Sequence, residues 1–241
     1  MEESNYPLLN EKENQMIESD IKQQIYDYIR EGFIHKVYSL LFVQLLITFG
    51  FVVLANEMKT LKIFVASHFW IYLILEFLPL AIVIFFICKP EVTHKVPTNY
   101  ILLFIFSISF GYTIAYLTLK YPKNNVYFSM ILTLVVVLVL SVYAFVTKRD
   151  FTMLGGFLWT CLVILIVVTI LAYLLNIRKL YAIINAFGII LFSIYLIYDT
   201  QLVAGKGERK LSEDDYILGV IMIYLDIINI FLYILSSSGR K

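Results

Sequence analysis

Residues 124–147, NNVYFSMILTLVVVLVLSVYAFVT, run for 24 positions without an Asp, Glu, Lys or Arg. Their centre, LTLVVVLVL, is apolar on every face, whereas a membrane β-strand alternates lipid-facing and interior residues over about ten positions. A helix rises about 1.5 Å per residue, so about 20 apolar residues cross a hydrocarbon layer roughly 30 Å thick. Within that layer each backbone N–H and C=O needs a partner inside the segment itself, and a helix supplies them all. The stretch therefore reads as a membrane-spanning α-helix.

The same reading extends in both directions along the chain. Four more uncharged intervals are long enough to cross: 37–56, 96–119, 151–177 and 180–198. Two others, 63–88 and 216–239, are interrupted by one carboxylate each, Glu76 and Asp226. Seven candidate spans in 241 residues, with 61% hydrophobic residues, 15% charged residues and 19 Phe, leave no room for a second globular domain. Mean hydropathy is +0.84. The expected fold is an all-α membrane protein of seven transmembrane helices, or alternatively six and a re-entrant C-terminal helix. Its expected organisation is a disordered polar tail over 1–16, an amphipathic interfacial segment over 17–35 and one polytopic membrane domain over 36–241.

The amphipathic segment rests on Ile17, Ile21, Ile25, Tyr28, Ile29 and Phe33, which recur at helical spacing among charged residues. Acidic residues precede the first apolar run, so no cleavable signal pattern is read and the first span serves as an uncleaved signal. Lys and Arg number 11 on one side and 8 on the other for seven crossings with a cytosolic N-terminus; with a re-entrant last segment the count becomes 13 against 6. Cys88 and Cys161 fall within spans and imply no disulfide framework. His35, His68 and His94 lie at span borders in three different segments, so they do not form the clustered ligand set of a zinc hydrolase.

Chemistry concentrates in the carboxylates. An Asp at the centre of a span costs about 2.5–3.5 kcal/mol on insertion scales, so such residues face a bundle interior or water and mark functional sites. Burial disfavours the charged form of a carboxyl, which makes a proton-sensitive site physically reasonable. Asp226 shares a helical face with Gly219, Asn229 and Tyr233, and the preceding span carries a matching stripe of Asn185, Gly188, Tyr195 and Asp199. The alternative is that each Asp bonds a neighbouring Tyr or carbonyl and only fixes packing. Between the two spans, Ser212 followed by Asp215 has capping-box spacing. From that cap Asp226 would lie roughly 20 Å into its helix, whereas Asp199 lies about 8 Å from the end of its own, so spacing alone does not pair them. Glu76, three residues before Pro79, sits where a proline frees a carbonyl and a carboxylate could line a water-filled break; a protonated Glu bonded to a neighbouring span is equally consistent.

Four segments, REGFIHKVYSLLFVQLLIT (30–48), TKRDFT (147–152), IYDTQLV (197–203) and LSEDDYILGVIMIYLDIINIFLYIL (211–235), resemble the transmembrane Bax inhibitor motif family, and within it the Lifeguard and Golgi anti-apoptotic branch. The resemblance covers residue 30 to the C-terminus. It implies a fold whose last helix is central, surrounded by the other six. It implies a pH-sensitive Ca2+ leak channel of the Golgi or endoplasmic reticulum, with a cytosolic N-terminus, that lowers store Ca2+ and inhibits apoptosis. The family's pH-sensing aspartate pair maps onto Asp199 and Asp226, and its acidic pair before the last helix onto Asp214 and Asp215. The ion path would add Glu76 and Asn229. An Arg that latches the aspartates from the second span in some prokaryotic relatives has no counterpart, since Glu76 is that span's only charge.

Ca2+ takes six to eight oxygen ligands when held tightly. Two carboxylates therefore suit a transient contact of Asp199 and Asp226 with a permeant ion. No catalytic residue, cofactor or nucleic-acid partner is expected. The expected partners are the lipid bilayer, Ca2+, and apoptotic-regulator or Ca2+-release membrane proteins. Two rival functions remain: a non-conducting anti-apoptotic scaffold, and an intramembrane aspartyl protease. The protease reading fits the YD motif but lacks the Gly-x-Gly-Asp that such enzymes carry, because Tyr224 and Leu225 precede Asp226.

Overall fold

A computed structural model describes residues 6–177 and 179–239, with side chains from residue 13 onward. The described chain is helical throughout: α1 (Tyr6–Glu57), α2 (Lys59–Ser67), α3 (Phe69–Cys88), α4 (Thr98–Thr118), α5 (Lys123–Val146), α6 (Gly155–Leu174), α7 (Leu180–Ala204) and α8 (Tyr216–Ser237). Seven of these, all but α2, are long and apolar enough to cross a membrane. The last is an unbroken helix of 22 residues, about 33 Å long, which is sufficient for a full crossing.

α8 forms the centre, as the resemblance implies. In its most apolar window 67% of residues are buried within the protein, against 17% for α3, α5 and α6. It packs on α7, α1 and α5, and on α4 through Tyr224, whose ring meets Phe106 and Phe110 edge-on. The Tyr224 hydroxyl shares a 2.7 Å hydrogen bond with Thr48 of α1. α3 packs on α4 and α6 packs on α7, so these two form an outer layer beside α8.

Three local expectations change. The second apolar interval is not one helix, because the backbone turns at His68 (φ −105°, ψ 61°), separating a short α2 from the spanning α3. Within α3 the helix continues through Pro79, so no break opens there. The segment read as a tail and an interfacial stretch is a single helical extension of α1 from Tyr6 onward; residues 1–5 lie outside the described residues. A helix already nucleated by the first span lengthens at little cost, and Glu18–Lys22 and Gln23–Asp27 pairs one turn apart support it. Met16, Ile17, Ile21, Ile25, Tyr28 and Ile29 stand exposed along it.

The α7–α8 connection sets the level of α8. α7 ends in a Schellman turn: Gly205 is left-handed (φ 69°), its N–H meets the Leu202 carbonyl at 3.3 Å, and the Lys206 N–H meets that of Gln201 at 3.1 Å. Arg30 of α1 then clamps the loop. Its Nη2 donates to the Leu202 carbonyl at 2.6 Å, and its Nη1 to the Leu211 carbonyl at 2.7 Å and to Glu213 at 3.1 Å. The Leu211 N–H also binds the Leu202 carbonyl, at 3.1 Å. With Leu211 engaged at both ends, only a single backbone turn closes at Ser212, whose carbonyl accepts from the Asp215 N–H at 3.0 Å, and the expected capping box is absent. α8 starts one turn later, with Asp215 at its N-cap position and no side-chain cap bond.

A Cβ on Gly205 would lie 2.6 Å from Arg30 Nε, in addition to the left-handed backbone strain. Gly205→Ala should therefore cost at least about 1–2 kcal/mol and lower the melting temperature in detergent. Gly156→Ala, where a Cβ meets nothing within 4 Å, should leave it nearly unchanged.

Candidate functional site

The two polar stripes seen in sequence face each other across the α7–α8 contact. Near one end Gly219 lies against Val203, where a Cβ would come within 3.0 Å. Near the other, Gly188 receives the ring of Tyr233, which would be 2.7 Å from a Cβ. Glycine at each position admits a neighbouring side chain that a larger residue would exclude. Asp199 lies five residues before the end of α7 and Asp226 ten after the start of α8. The contact of Gly219 with Val203 shows that the first turn of α8 protrudes beyond α7. That offset brings Asp226 to within about one helical turn of the level of Asp199, a gap that two side chains can span.

Asp199 and Asp226 are both buried, at 4% exposure. Their side chains lie within hydrogen-bonding reach of each other. As two carboxylates both would only accept, and Asp199 Oδ1 and Asp226 Oδ2 meet no donor among the described residues. One proton held between them would turn the contact into a hydrogen bond. The sequence left open a dyad or two separate packing bonds; the structure sets both carboxyls at the wall of one cavity.

A cavity of about 600 Å³ adjoins the pair, lined by α6, α7 and α8 and open on one side. Asn229 lines it and donates to the Leu225 carbonyl at 2.8 Å. Tyr195, Tyr198 and Tyr233 also face it, and Cys161 of α6 lies near Tyr195.

The other sequence-derived candidates sit elsewhere. Glu76 of α3, beside Tyr72, is exposed in an open groove of about 320 Å³ bordered by Pro79, by Phe106 and Phe110 of α4 and by Leu225 of α8. Leu225 borders both this groove and the Asp cavity, so the two adjoin at that side chain. Asp215, eleven residues before Asp226, pairs with His94 at 3.6 Å, and Asp214 is exposed. Among the described residues no three His, Cys, Asp or Glu side chains form a metal-binding group.

Sequence reasoning missed the frame around the pair. Gln201, two residues after Asp199, accepts from the Phe151 N–H at 2.8 Å and donates to the Arg149 carbonyl at 2.9 Å. Asp150 accepts from the Thr152 N–H and hydroxyl at 2.8 and 2.6 Å, and from the Glu208 N–H at 2.9 Å. A Cβ on Gly207 would collide with Asp150. The TKRDFT and YDTQL motifs are thus two halves of one docking joint, and the only sequence-level sign of it was that both recur as motifs.

Residues 30–240 match the family described as "Inhibitor of apoptosis-promoting Bax1". The chain belongs to the Bax inhibitor motif family. Within this family it is similar to protein lifeguard 3 of Homo sapiens, at 33% identity over 217 residues, covering 88% of this chain and 70% of the relative. Protein lifeguard 3 of Mus musculus is 31% identical over the same length. Protein LIFEGUARD 2 of Arabidopsis thaliana is 33% identical over 217 residues, 86% of this chain and 87% of its own. Bax inhibitor motif and Lifeguard proteins are anti-apoptotic membrane proteins. The matched segment includes Arg30, Asp150, Asp199, Gln201 and Asp226, while the α1 extension ahead of Arg30 lies outside it.

The Thr152 hydroxyl and then the Glu208 N–H hold the Asp150 carboxyl below its ordinary value of 3.8. A depressed folded value means that this joint contributes stability above the unfolded value and loses it as pH falls through the folded one. Hydrogen exchange in 147–152 and 205–211 should therefore accelerate only on acidification below about 3.8, the unperturbed position. Asp150→Asn should remove that acid step.

Proposed function

We propose that this protein is a proton-sensitive Ca2+ leak channel of the Golgi or endoplasmic reticulum membrane, with its N-terminus cytosolic, that lowers store Ca2+ and so opposes apoptosis. The observation that supports this reading is the buried Asp199–Asp226 pair between α7 and the central helix α8, beside a cavity with no Lys, Arg or His among its lining residues. A shared proton joins α7 to α8 by a hydrogen bond. Its loss leaves two carboxylates in mutual repulsion, which weakens the contact and offers oxygen ligands to a passing cation. Contact with two carboxylates is weak enough for an ion to leave again, as permeation requires. Asp214 and Asp215, at the α8 end near the loop, would raise the local cation concentration.

Purified protein in liposomes loaded with a Ca2+ dye tests the reading. Flux should rise several-fold as pH increases across the neutral range. Asp199→Asn and Asp226→Asn, which mimic the protonated side chain, should give a low flux with no pH dependence. A pH response unchanged in both variants would sink the proposal.

The exposed Ile17, Ile21 and Ile25 on the α1 extension favour a second reading, a scaffold that acts by binding apoptotic or Ca2+-release membrane proteins. Removing residues 1–24 separates the two while sparing Tyr26 and Arg30. A channel keeps its flux without this segment, whereas a scaffold loses cell protection.

A further inference from the structure

The cavity beside the aspartate pair has a shape and chemistry that a bare ion does not need. Its volume of about 600 Å³ falls within the roughly 300–1,000 Å³ of small-molecule sites. Its polar floor is acidic, because Asp199 and Asp226 both line it and no Lys, Arg or His is among the lining residues. Each carboxyl is more than nine-tenths buried, with one oxygen that meets no donor among the described residues. Trp159, Tyr195 and Tyr198 border this floor, and aromatic faces attract organic cations.

The remaining walls are hydrocarbon. Leu162 and Ile166 of α6 face Met222 and Leu225 of α8 across the cavity. α6 packs on α7, not on α8, so this side of α8 is left half-covered and the cavity communicates with the lipid side of the bundle. A guest arriving through the bilayer therefore meets an apolar slot that leads to a buried anionic pair.

We propose that this cavity binds a single-chain lipophilic amine, with its ammonium on the Asp199–Asp226 pair and its hydrocarbon tail in the slot between α6 and α8. Charge balances: a pair holding one proton carries one negative charge, and the ammonium one positive. The ammonium donates to the two oxygens that otherwise lack a donor. On the leak reading above, on which this consequence rests, the bound amine occupies the place of the permeant cation and closes the path.

The test uses the full chain in phosphatidylcholine vesicles with Trp70→Phe, which leaves Trp159 as the single tryptophan of the two. The probe is octadecylamine brominated on its tail, a fluorescence quencher, compared with the brominated octadecanol of the same tail. The amine should quench Trp159 saturably, whereas the alcohol should quench only in proportion to its content in the bilayer. The double variant Asp199→Asn/Asp226→Asn should weaken the saturable component at least tenfold. If that variant does not fold, Asp199→Asn alone makes the same comparison. Saturation by the alcohol equal to that by the amine, or saturation that survives loss of the carboxyl charge, overturns the inference. Ca2+ flux read on the same vesicles separates the two ideas. Saturable quenching without flux defeats the leak reading alone, and flux without saturable quenching defeats this one alone.

Discussion

The guanidinium of Arg30, withdrawn from water at 4% exposure, is the contact from which the rest of the architecture takes its registration. A buried cation is tolerated only where several acceptors converge on it, and here the Leu202 and Leu211 carbonyls and Glu213 do so at 2.6–3.1 Å. The Leu202 carbonyl ends α7, and the Leu211 carbonyl lies in the connection that leads to α8. Arg30 thereby fixes where α8 can begin, and the start of α8 fixes how deep Asp226 lies. A start one turn earlier, as the capping-box pattern suggested, would displace Asp226 by about 5 Å along the axis and part it from Asp199.

Around that fixed point the bundle is assembled by economy of space. Glycines at 188 and 219 make room for Tyr233 and Val203 at the α7–α8 contact, and the aspartates lie between these two points. Gln201 and Asp150 tie the α5–α6 loop to the end of α7 through backbone groups that would otherwise lack partners. α3 and α6, by contrast, bury little of themselves. The dyad therefore sits on rigid central elements, while the walls of its cavity are borrowed partly from a helix held on one side only.

Much of this was legible in the sequence because the bilayer imposes a length rule that uncharged intervals obey. The same medium makes a lone carboxylate conspicuous, so Asp226, Asp199 and their polar stripes could be singled out before any contact was known. What was illegible depends on contacts between distant positions. Arg30 reads as an ordinary surface charge of an amphipathic stretch, since its acceptors lie 172 to 183 residues away. The late start of α8 follows from that contact and was hidden with it. Glu76 was conspicuous for the same reason as Asp226, yet it borders a groove between α3, α4 and α8 and not the Asp199–Asp226 cavity, because an apolar span does not reveal which neighbours its one carboxylate will meet. The family motifs could be read as a signature, but their physical content, a joint between two loops, needed coordinates.

The continuity of α1 has a mechanical consequence. From Glu13 to Glu57 it forms a rod of 45 residues, about 68 Å long and more than twice the thickness of the hydrocarbon layer. Arg30 grips the α7–α8 turn partway along that rod, so the turn is the fulcrum of a lever whose free arm projects from the bundle. A sideways pull on the free arm is delivered as torque at the Leu202 carbonyl, three residues from Asp199. Force applied well outside the bilayer thus has a stiff route to the separation of two carboxyls inside it.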